Sequence, residues 1–211
     1  MTIRHDRIRQ RAARSVLIAV ICFDLIALTV SSTDLFVRQA AGDIHVTAPH
    51  AHFLTAKALE RLHDGAVAQF DFQFSVAAGS KSNVVARAVE RFVVSYDVWQ
   101  ERFSVVRLRD LHKSGARTSA LAAEMWCVDN IALAAALIPS DQQLWAKLEI
   151  RSVDQKDQSS AWADAGISVT TLIEIFSRPS RPQQDHWTLE TAAFRLSDLK
   201  PADPKPTELR P

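Results

Sequence analysis

Three carboxylates near one point of the chain are the first candidates for chemistry. Asp97 and Glu101 flank the sequence "VWQ", and Asp110 follows a short distance later. Two carboxylates held close together could share the acid and base roles of a hydrolase. Alternation along residues 84–98 places Asp97 on the outward face of a strand, and Glu101 falls in the connection that follows. This spacing favours solvated charges at a hairpin bend over a catalytic pair.

Histidines offer a second kind of chemistry. His50 and His52 are two residues apart, so that a strand would present both imidazoles on one face, with His45 and His63 nearby. A zinc site needs three or four fixed ligands, and no matching Cys or Asp cluster accompanies this pair. His-x-His alone is a weak pattern, and the sequence leaves open whether the pair binds a metal.

Motifs that identify common enzyme classes are missing from the sequence. It contains no Gly-x-Ser-x-Gly elbow, phosphate-binding loop, His-Glu-x-x-His helix or dinucleotide fingerprint, and only 5 Gly. Cys127 lies in an apolar stretch, where core packing explains it better than reactivity. We therefore expect no cofactor and a protein that is not an enzyme; an enzyme without a recognisable motif is the remaining alternative.

The N-terminus carries a targeting pattern. Five Arg precede the apolar run "SVLIAVICFDLIALTV" at residues 15–30, an order typical of a secretory signal or a signal anchor whose Arg side stays in the cytoplasm. The run is shorter than the ~20 residues of a comfortable bilayer crossing and contains Asp24. We expect a periplasmic protein, either secreted or anchored to the inner membrane by residues 15–30. A buried helix of a cytosolic protein is the alternative, and the sequence leaves signal cleavage open.

The remaining charge argues against nucleic acid as a partner. Five of the 25 basic and two of the 24 acidic residues lie in the first 31 positions, which leaves a net charge of −2 for the rest of the chain. A nucleic-acid-binding domain usually carries a basic patch. We expect instead that the partners are the inner membrane, contacted through the N-terminal segment, and an unidentified envelope protein or lipid.

Hydrophobic periodicity predicts one globular domain over residues 41–198, between the N-terminal segment 1–40 and a disordered Pro-rich tail at 199–211. Strands are predicted at 43–48, 67–76, 84–98, 103–110, 144–153 and 186–196. Helices are predicted at 53–65, 118–137 and 168–176, the second being the longest and largely buried. Strict alternation in "VAQFDFQFSV" predicts a core face of Phe and Val and a wet face of Gln, Asp and Ser. A bulge is expected near Glu90 and Arg91, since residues 84–98 form a long strand.

These elements predict an α+β fold. An antiparallel sheet of five or six strands, arranged as a meander or a sandwich, would pack against one main helix and two short ones, after an N-terminal apolar helix. The strands 84–98 and 103–110 would form a hairpin with Phe92, Val94, Tyr96 and Val98 on the buried side. Trp99 and Glu101 would then lie at its exposed tip.

Aromatic residues mark the candidate interaction surface. Trp145 has the parity opposite to the buried residues of its strand, and Trp162 lies in the polar stretch 154–166. Exposed Trp side chains are common at interfaces. We therefore take Trp99, Glu101, Trp145 and Trp162 as the candidate surface.

The order of elements resembles a known family. The basic start, the Phe-alternating strand, the hairpin "VSYDVWQERFSV" and the final "HWTLETAAFRL" are similar to domain-of-unknown-function family 4390, an uncharacterised family of bacterial envelope proteins. The resemblance covers about residues 40 to 197. It implies an envelope location and no known activity, and it assigns a role to no residue, "YDVW" and "WCVDN" included. The expected function is that of a non-enzymatic envelope protein that binds another envelope component. A periplasmic carrier of a lipid or other hydrophobic ligand is the alternative, with its cavity between the Phe face and the helix at 118–137.

Overall fold

The computed structural model describes residues 35–153 and 184–199, together with positions 173, 176 and 177; it leaves the side chains of 111–113 undescribed. The predicted N-terminal helix, the 154–166 stretch with Trp162 and the C-terminal tail lie outside the described residues. Of the predicted helix 168–176 only positions 173 and 176 are described, and both are helical.

The described chain is an α+β fold whose strands all pair antiparallel, as the sequence predicts. The elements in chain order are β1 (Phe36–Ala40), β2 (Asp43–Thr47), α1 (Ala56–His63), β3 (Ala68–Ala78), β4 (Val84–Asp97), β5 (Arg102–Arg107), β6 (Asp110–Arg117), α2 (Ala120–Asp129), β7 (Ala132–Ala134), β8 (Leu144–Ser152) and β9 (His186–Glu190). Short 3-10 turns follow at Ala135–Leu137 and Leu196–Asp198. The strands form a three-stranded sheet, β1-β2-β7, and a six-stranded sheet, β6-β5-β4-β3-β8-β9.

Local sequence explains where several elements begin and end. Thr55 caps α1 by accepting a hydrogen bond from the backbone N–H of Ala58, and Gly65 follows the helix with a φ of 83°. That left-handed conformation suits glycine because it has no Cβ. Gly79, with a φ of 73°, begins the turn between β3 and β4, and Ser119 caps α2. The predicted pairing of residues 84–98 with 103–110 is confirmed by the β4–β5 register.

The largest error in the prediction concerns residues 118–137. The helix ends at Asp129, and residues 132–134 form strand β7, which pairs with Asp43–His45 of β2. The side-chain amide of Asn130 donates to the carbonyl of Trp126 at 2.8 Å and closes the last turn. The helix is also less buried than predicted, since Leu121 and Met125 are 45% and 41% exposed. Tertiary pairing with β2 overrides the high helix propensity of the Ala-rich sequence.

Other boundaries also differ from the prediction. Strands β1 and β6 were not predicted, and β9 ends at Glu190, after which Phe194 makes an isolated bridge to Leu144. The irregularity in β4 does not lie at Glu90; the register shift occurs where Val76 and Ala77 of β3 face Ala86 and Val84. Val98 is 56% exposed, because β4 ends one residue before it.

The core lies on one face of the six-stranded sheet. Phe70, Phe72 and Phe74 of β3 are at most 3% exposed, and Phe53 packs edge-on against the first two at ring distances of 4.9 and 5.3 Å. The opposite face of β3 was predicted to be wet, which is wrong. All eleven residues of β3 are buried, including the polar Gln69, Asp71, Gln73 and Ser75, hereafter the outer polar row.

Candidate functional site

The tip of the β4–β5 hairpin, residues 98–101, is held in one conformation by local contacts. The carboxylate of Asp97 accepts hydrogen bonds from the backbone N–H groups of Trp99 and Gln100 at 2.9 and 3.0 Å. Glu101 has a φ of 51°, a left-handed conformation that non-glycine residues adopt at a cost of about 1–3 kcal/mol. A left-handed residue is also a regular part of hairpin loops, and Ala41 in the β1–β2 turn has a similar φ of 52°.

Trp99 projects from this hairpin tip with 97% of its surface exposed. Val98 beside it is 56% exposed, and Glu101 is exposed as well. The hydrogen bonds to Asp97 order the backbone of this short loop, so that binding a partner costs less backbone entropy. Two of the four predicted surface residues, Trp99 and Glu101, are therefore brought together at one site.

Of the three carboxylates considered as an acid–base pair, Asp97 and Asp110 are kept apart by the register. Asp97 faces Arg102 at one end of β5, whereas Asp110 faces Arg107 at the other end. Five residue steps along β5 therefore separate them by about 17 Å. Each carboxylate also has a structural partner: Asp97 binds the tip amides, and Asp110 accepts from Arg107 at 3.1 Å.

The histidines are spread over several structural contacts. The Nδ1 atom of His52 lies 3.2 Å from a carboxylate oxygen of Glu124, and that of His45 lies 3.4 Å from the carbonyl of Asp129. The ring of His63 packs on Tyr96 at 4.4 Å. Among the residues that the structure describes, no three His, Cys, Asp or Glu side chains are grouped as metal ligands.

Glu124 is a buried carboxylate on α2 whose burial was not predicted from the periodicity of that helix. It is 3% exposed and accepts a hydrogen bond from the backbone N–H of Leu54 at 2.7 Å. This contact ties α2 to the segment that precedes α1. The neighbouring Cys127 is fully buried, and this burial raises the pKa of its thiol far above the ordinary value. Because the thiolate is the reactive form, Cys127 is a packing residue, as predicted.

The outer polar row is held together by a buried ion pair. Arg91 donates two hydrogen bonds to Asp71, from Nε at 2.5 Å and from Nη2 at 2.7 Å, and both residues are at most 5% exposed. Burial raises the pKa of Asp71 above its ordinary value, while the hydrogen bond and the charges of Arg91 and Arg151 oppose the rise. Because burying two charges is costly, this pair contributes less net stability than its two hydrogen bonds suggest.

Further along the same face, the sheet carries a groove of about 170 Å³, the sheet groove. Half-buried Trp145 forms part of its wall. Gln73 donates to Glu149 at 2.9 Å, and Lys147 lies 3.2 Å from the same carboxylate. Other residues lining the groove include Lys81, Glu190, Ser75 and Arg87. The third predicted surface residue thus belongs to a different site from Trp99, and the fourth, Trp162, lies outside the described residues.

No family model, curated protein or solved structure matches this chain. Within residues 35–153 and 184–199, no helix has the length and apolar character that crossing a bilayer requires. Function is therefore inferred from the residues of the chain itself.

Proposed function

We propose that the chain is a non-enzymatic bacterial cell-envelope protein that binds a second envelope protein through its hairpin tip. Residues 15–30 would export it or anchor it to the inner membrane, so that the folded domain works in the periplasm. The observation that carries the proposal is Trp99, which is 97% exposed on a tip fixed by Asp97.

Three properties of the hairpin tip support a role in binding proteins. Trp is enriched among the residues that dominate binding energy at protein interfaces. The two hydrogen bonds of Asp97 organise the loop before binding and so reduce the entropy lost on association. Exposed Val98 and charged Glu101 lie on the same tip as the indole, and interfaces commonly combine apolar and polar side chains in this way.

The packing of the core supports a binding protein more than a lipid carrier. A carrier would need space between the Phe face of β3 and its covering elements. Phe53 fills that space instead, with Trp187 at 6.3 Å from its ring and Phe92 at 4.9 Å from that of Phe72. The resemblance to the envelope family, the basic N-terminus and the apolar run are the support for the compartment.

Crosslinking in intact cells tests the role of the tip. A photoreactive amino acid replaces Trp99 in the full chain, and a matched probe replaces Leu137, which is 64% exposed but lies outside the tip. We expect one discrete protein adduct from position 99 and none from position 137. The partner identified by mass spectrometry is then purified, and its affinity for Trp99→Ala should fall at least 10-fold, as for a central interface residue, with Leu137→Ala unchanged.

Two outcomes would contradict the proposal. Adducts that are the same at both positions would show that position 99 has no specific partner, and an unchanged affinity in Trp99→Ala would remove the indole from the interface. The compartment is tested separately by fusing alkaline phosphatase after residue 40; an inactive fusion in cells that secrete a control fusion would refute export.

A further inference from the structure

The sheet groove has the composition of a ligand site, and it does not depend on the hairpin tip. Val84 at the start of β4 lines the groove, while Asp97 at the end of β4 borders the tip. A strand of 14 residues is about 45 Å long at about 3.3 Å per residue. The two sites therefore lie at opposite ends of the longest strand.

We propose that the sheet groove binds a single sugar ring of a saccharide, stacked on Trp145 and hydrogen-bonded by Gln73, Lys147 and Glu149. The size of the groove agrees with this ligand. Its volume of about 170 Å³ is several times the ~30 Å³ that a water molecule occupies in the liquid, but it is below the ~300 Å³ at which pockets for drug-sized ligands begin.

The hydrogen-bonding groups of the groove favour hydroxyl groups as the ligand's polar atoms. Gln73 is 5% exposed, its amide nitrogen donates to Glu149, and its buried Oε1 atom has no hydrogen-bond partner among the described residues. An ammonium such as that of Lys147 has three donors, and a carboxylate such as that of Glu149 can accept several hydrogen bonds. The groove therefore presents both donors and acceptors. A hydroxyl group donates and accepts at the same time, so a polyol satisfies both kinds of neighbour.

The charges argue against simple ions. The lining includes three cations, Lys81, Arg87 and Lys147, and two carboxylates, Glu149 and Glu190. Lys81 pairs with Glu190 at 2.7 Å, and Lys147 pairs with Glu149 at 3.2 Å. A small anion would meet two carboxylates in the groove, and a small cation would meet three positive charges. A neutral sugar avoids both repulsions, and an acidic sugar gains only from Arg87, which makes no ion pair with any described residue.

Trp145 supplies the apolar contact that a sugar ring needs. It lies on the outer face of β8, opposite Ala77 of β3, so that a small neighbour leaves space beside the indole. The face of an aromatic ring carries partial negative charge, which attracts the polarised C–H groups on one side of a pyranose. A phenyl ring would also stack there, but it has no donor for the Oε1 atom of Gln73, which lacks a hydrogen-bond partner among the described residues.

Binding is measured on the full chain in a zwitterionic detergent, because a detergent with a sugar headgroup would compete. Glucose, N-acetylglucosamine and glucuronic acid are titrated by saturation-transfer NMR and by Trp fluorescence, with sodium phosphate as the ion control. We expect saturable millimolar binding of at least one sugar. Trp145→Ala should weaken it at least 10-fold, whereas Trp99→Ala, which removes an indole from the far end of β4, should leave it unchanged.

Two further variants locate the polar contacts. Lys147→Gln keeps a donor on a side chain that is 40% exposed and should weaken binding a few-fold without unfolding the protein, which circular dichroism verifies. Arg87→Gln should weaken the binding of glucuronic acid and leave the binding of glucose and N-acetylglucosamine unchanged. Gln73→Leu removes the buried Oε1 acceptor and should weaken the binding of all three sugars to the folded protein.

Three results would overturn the proposal: no sugar binds above the buffer baseline, Trp145→Ala binds as the unchanged protein does, or Trp99→Ala is affected equally. Phosphate that displaces each sugar at equal concentration would identify an anion site at Arg87 instead. None of these results bears on crosslinking from position 99, so that the two proposals fail independently.

Discussion

The two faces of β3 are equally buried and chemically opposite. Phe70, Phe72 and Phe74 fill one face, and the outer polar row of Gln69, Asp71, Gln73 and Ser75 occupies the other; no residue of either set is more than 7% exposed. On the first face, aromatic rings meet edge-on at about 5 Å. On the second, a bidentate ion pair and an amide–carboxylate contact take the place of apolar packing.

The polarity of a strand face and its exposure to water are two different properties, and a sequence pattern reports only the first. Alternation of apolar and polar residues reports the chemistry of each face of a strand. It does not report whether the polar face meets water, because that depends on what neighbouring strands and covering segments contribute. β3 lies between β4 and β8 in the middle of the sheet, and both neighbours place long charged side chains beside the outer polar row.

Truncation on the apolar face should have the largest effect on stability. Phe72 is fully buried and touches the rings of Phe53 and Phe92, so Phe72→Ala removes apolar contacts and leaves a cavity. We expect the free energy of unfolding to fall by about 3–5 kcal/mol, measured by urea denaturation of the full chain with the m-value checked for constancy. A loss below about 1 kcal/mol would mean that this face is loosely packed and would restore the carrier hypothesis.

Breaking the ion pair on the polar face should lower the free energy of unfolding nearly as much, but a second substitution should recover the loss. Asp71→Leu leaves Arg91 charged and buried without its partner, which typically costs about 3–5 kcal/mol. The double change Asp71→Leu, Arg91→Met should recover most of the loss, because an apolar pair carries no desolvation cost.

Arg91→Met alone completes the double-mutant cycle for this pair. If the effects of the two single variants on the free energy of unfolding simply add in the double variant, Asp71 and Arg91 do not interact energetically, and the prediction is wrong. No second change on the apolar face is expected to rescue Phe72→Ala in this way, which distinguishes the two faces experimentally.

The elements predicted well are those whose pattern and neighbours agree. The alternation of residues 67–76, the turn near Gly79 and the β4–β5 hairpin were predicted from local signals, and their pairing follows from chain order. The end of α2 could not be predicted in this way. Residues 132–134 become a strand only because β2, more than 80 residues earlier, offers a free edge, and no local signal encodes that edge.

The candidate sites also differ in whether local sequence or distant residues form them. Trp99 and Glu101 were predicted because a hairpin tip is a local feature. The sheet groove was not predicted as a site, although Trp145 was singled out by its parity. Its other walls come from Gln73 and Glu149, which are 76 residues apart, and from the β3–β4 turn. Glu124 was missed because its partner, the backbone N–H of Leu54, is 70 residues away.

The pH dependence of stability gives a finer comparison of the two faces, since only the polar one titrates. Burial raises the pKa of Asp71 above 3.8, so the native state holds this proton to higher pH than the unfolded chain does. The free energy of unfolding should therefore fall as pH rises from about 3.8 through the native pKa. The fall should be about 1.4 kcal/mol for each pH unit that separates the native pKa from the unfolded one.

Asp71→Asn removes this titration, so the stability of the unchanged protein minus that of the variant should decline over the same pH interval and be flat above it. Urea denaturation at several pH values measures the difference. A difference that grows with pH would mean that the attraction of Arg91 outweighs the effect of burial and that the native pKa is lowered.

The smallest expected effect concerns Gln69, at the end of the outer polar row. It is 3% exposed, and its Oε1 atom has no hydrogen-bond partner within residues 35–153 and 184–199. A buried polar atom without a partner costs about 1–3 kcal/mol, so Gln69→Met, which keeps the length of the side chain and removes the amide, should leave stability unchanged or raise it by up to about 1 kcal/mol. Phe70→Met, its neighbour on the apolar face, should lower stability because it loses the ring contact with Phe53 at 4.9 Å. If Gln69→Met lowered the free energy of unfolding more than Phe70→Met in urea denaturation, the amide of Gln69 would be making a stabilising contact. The polar face would then be as specifically packed as the aromatic one.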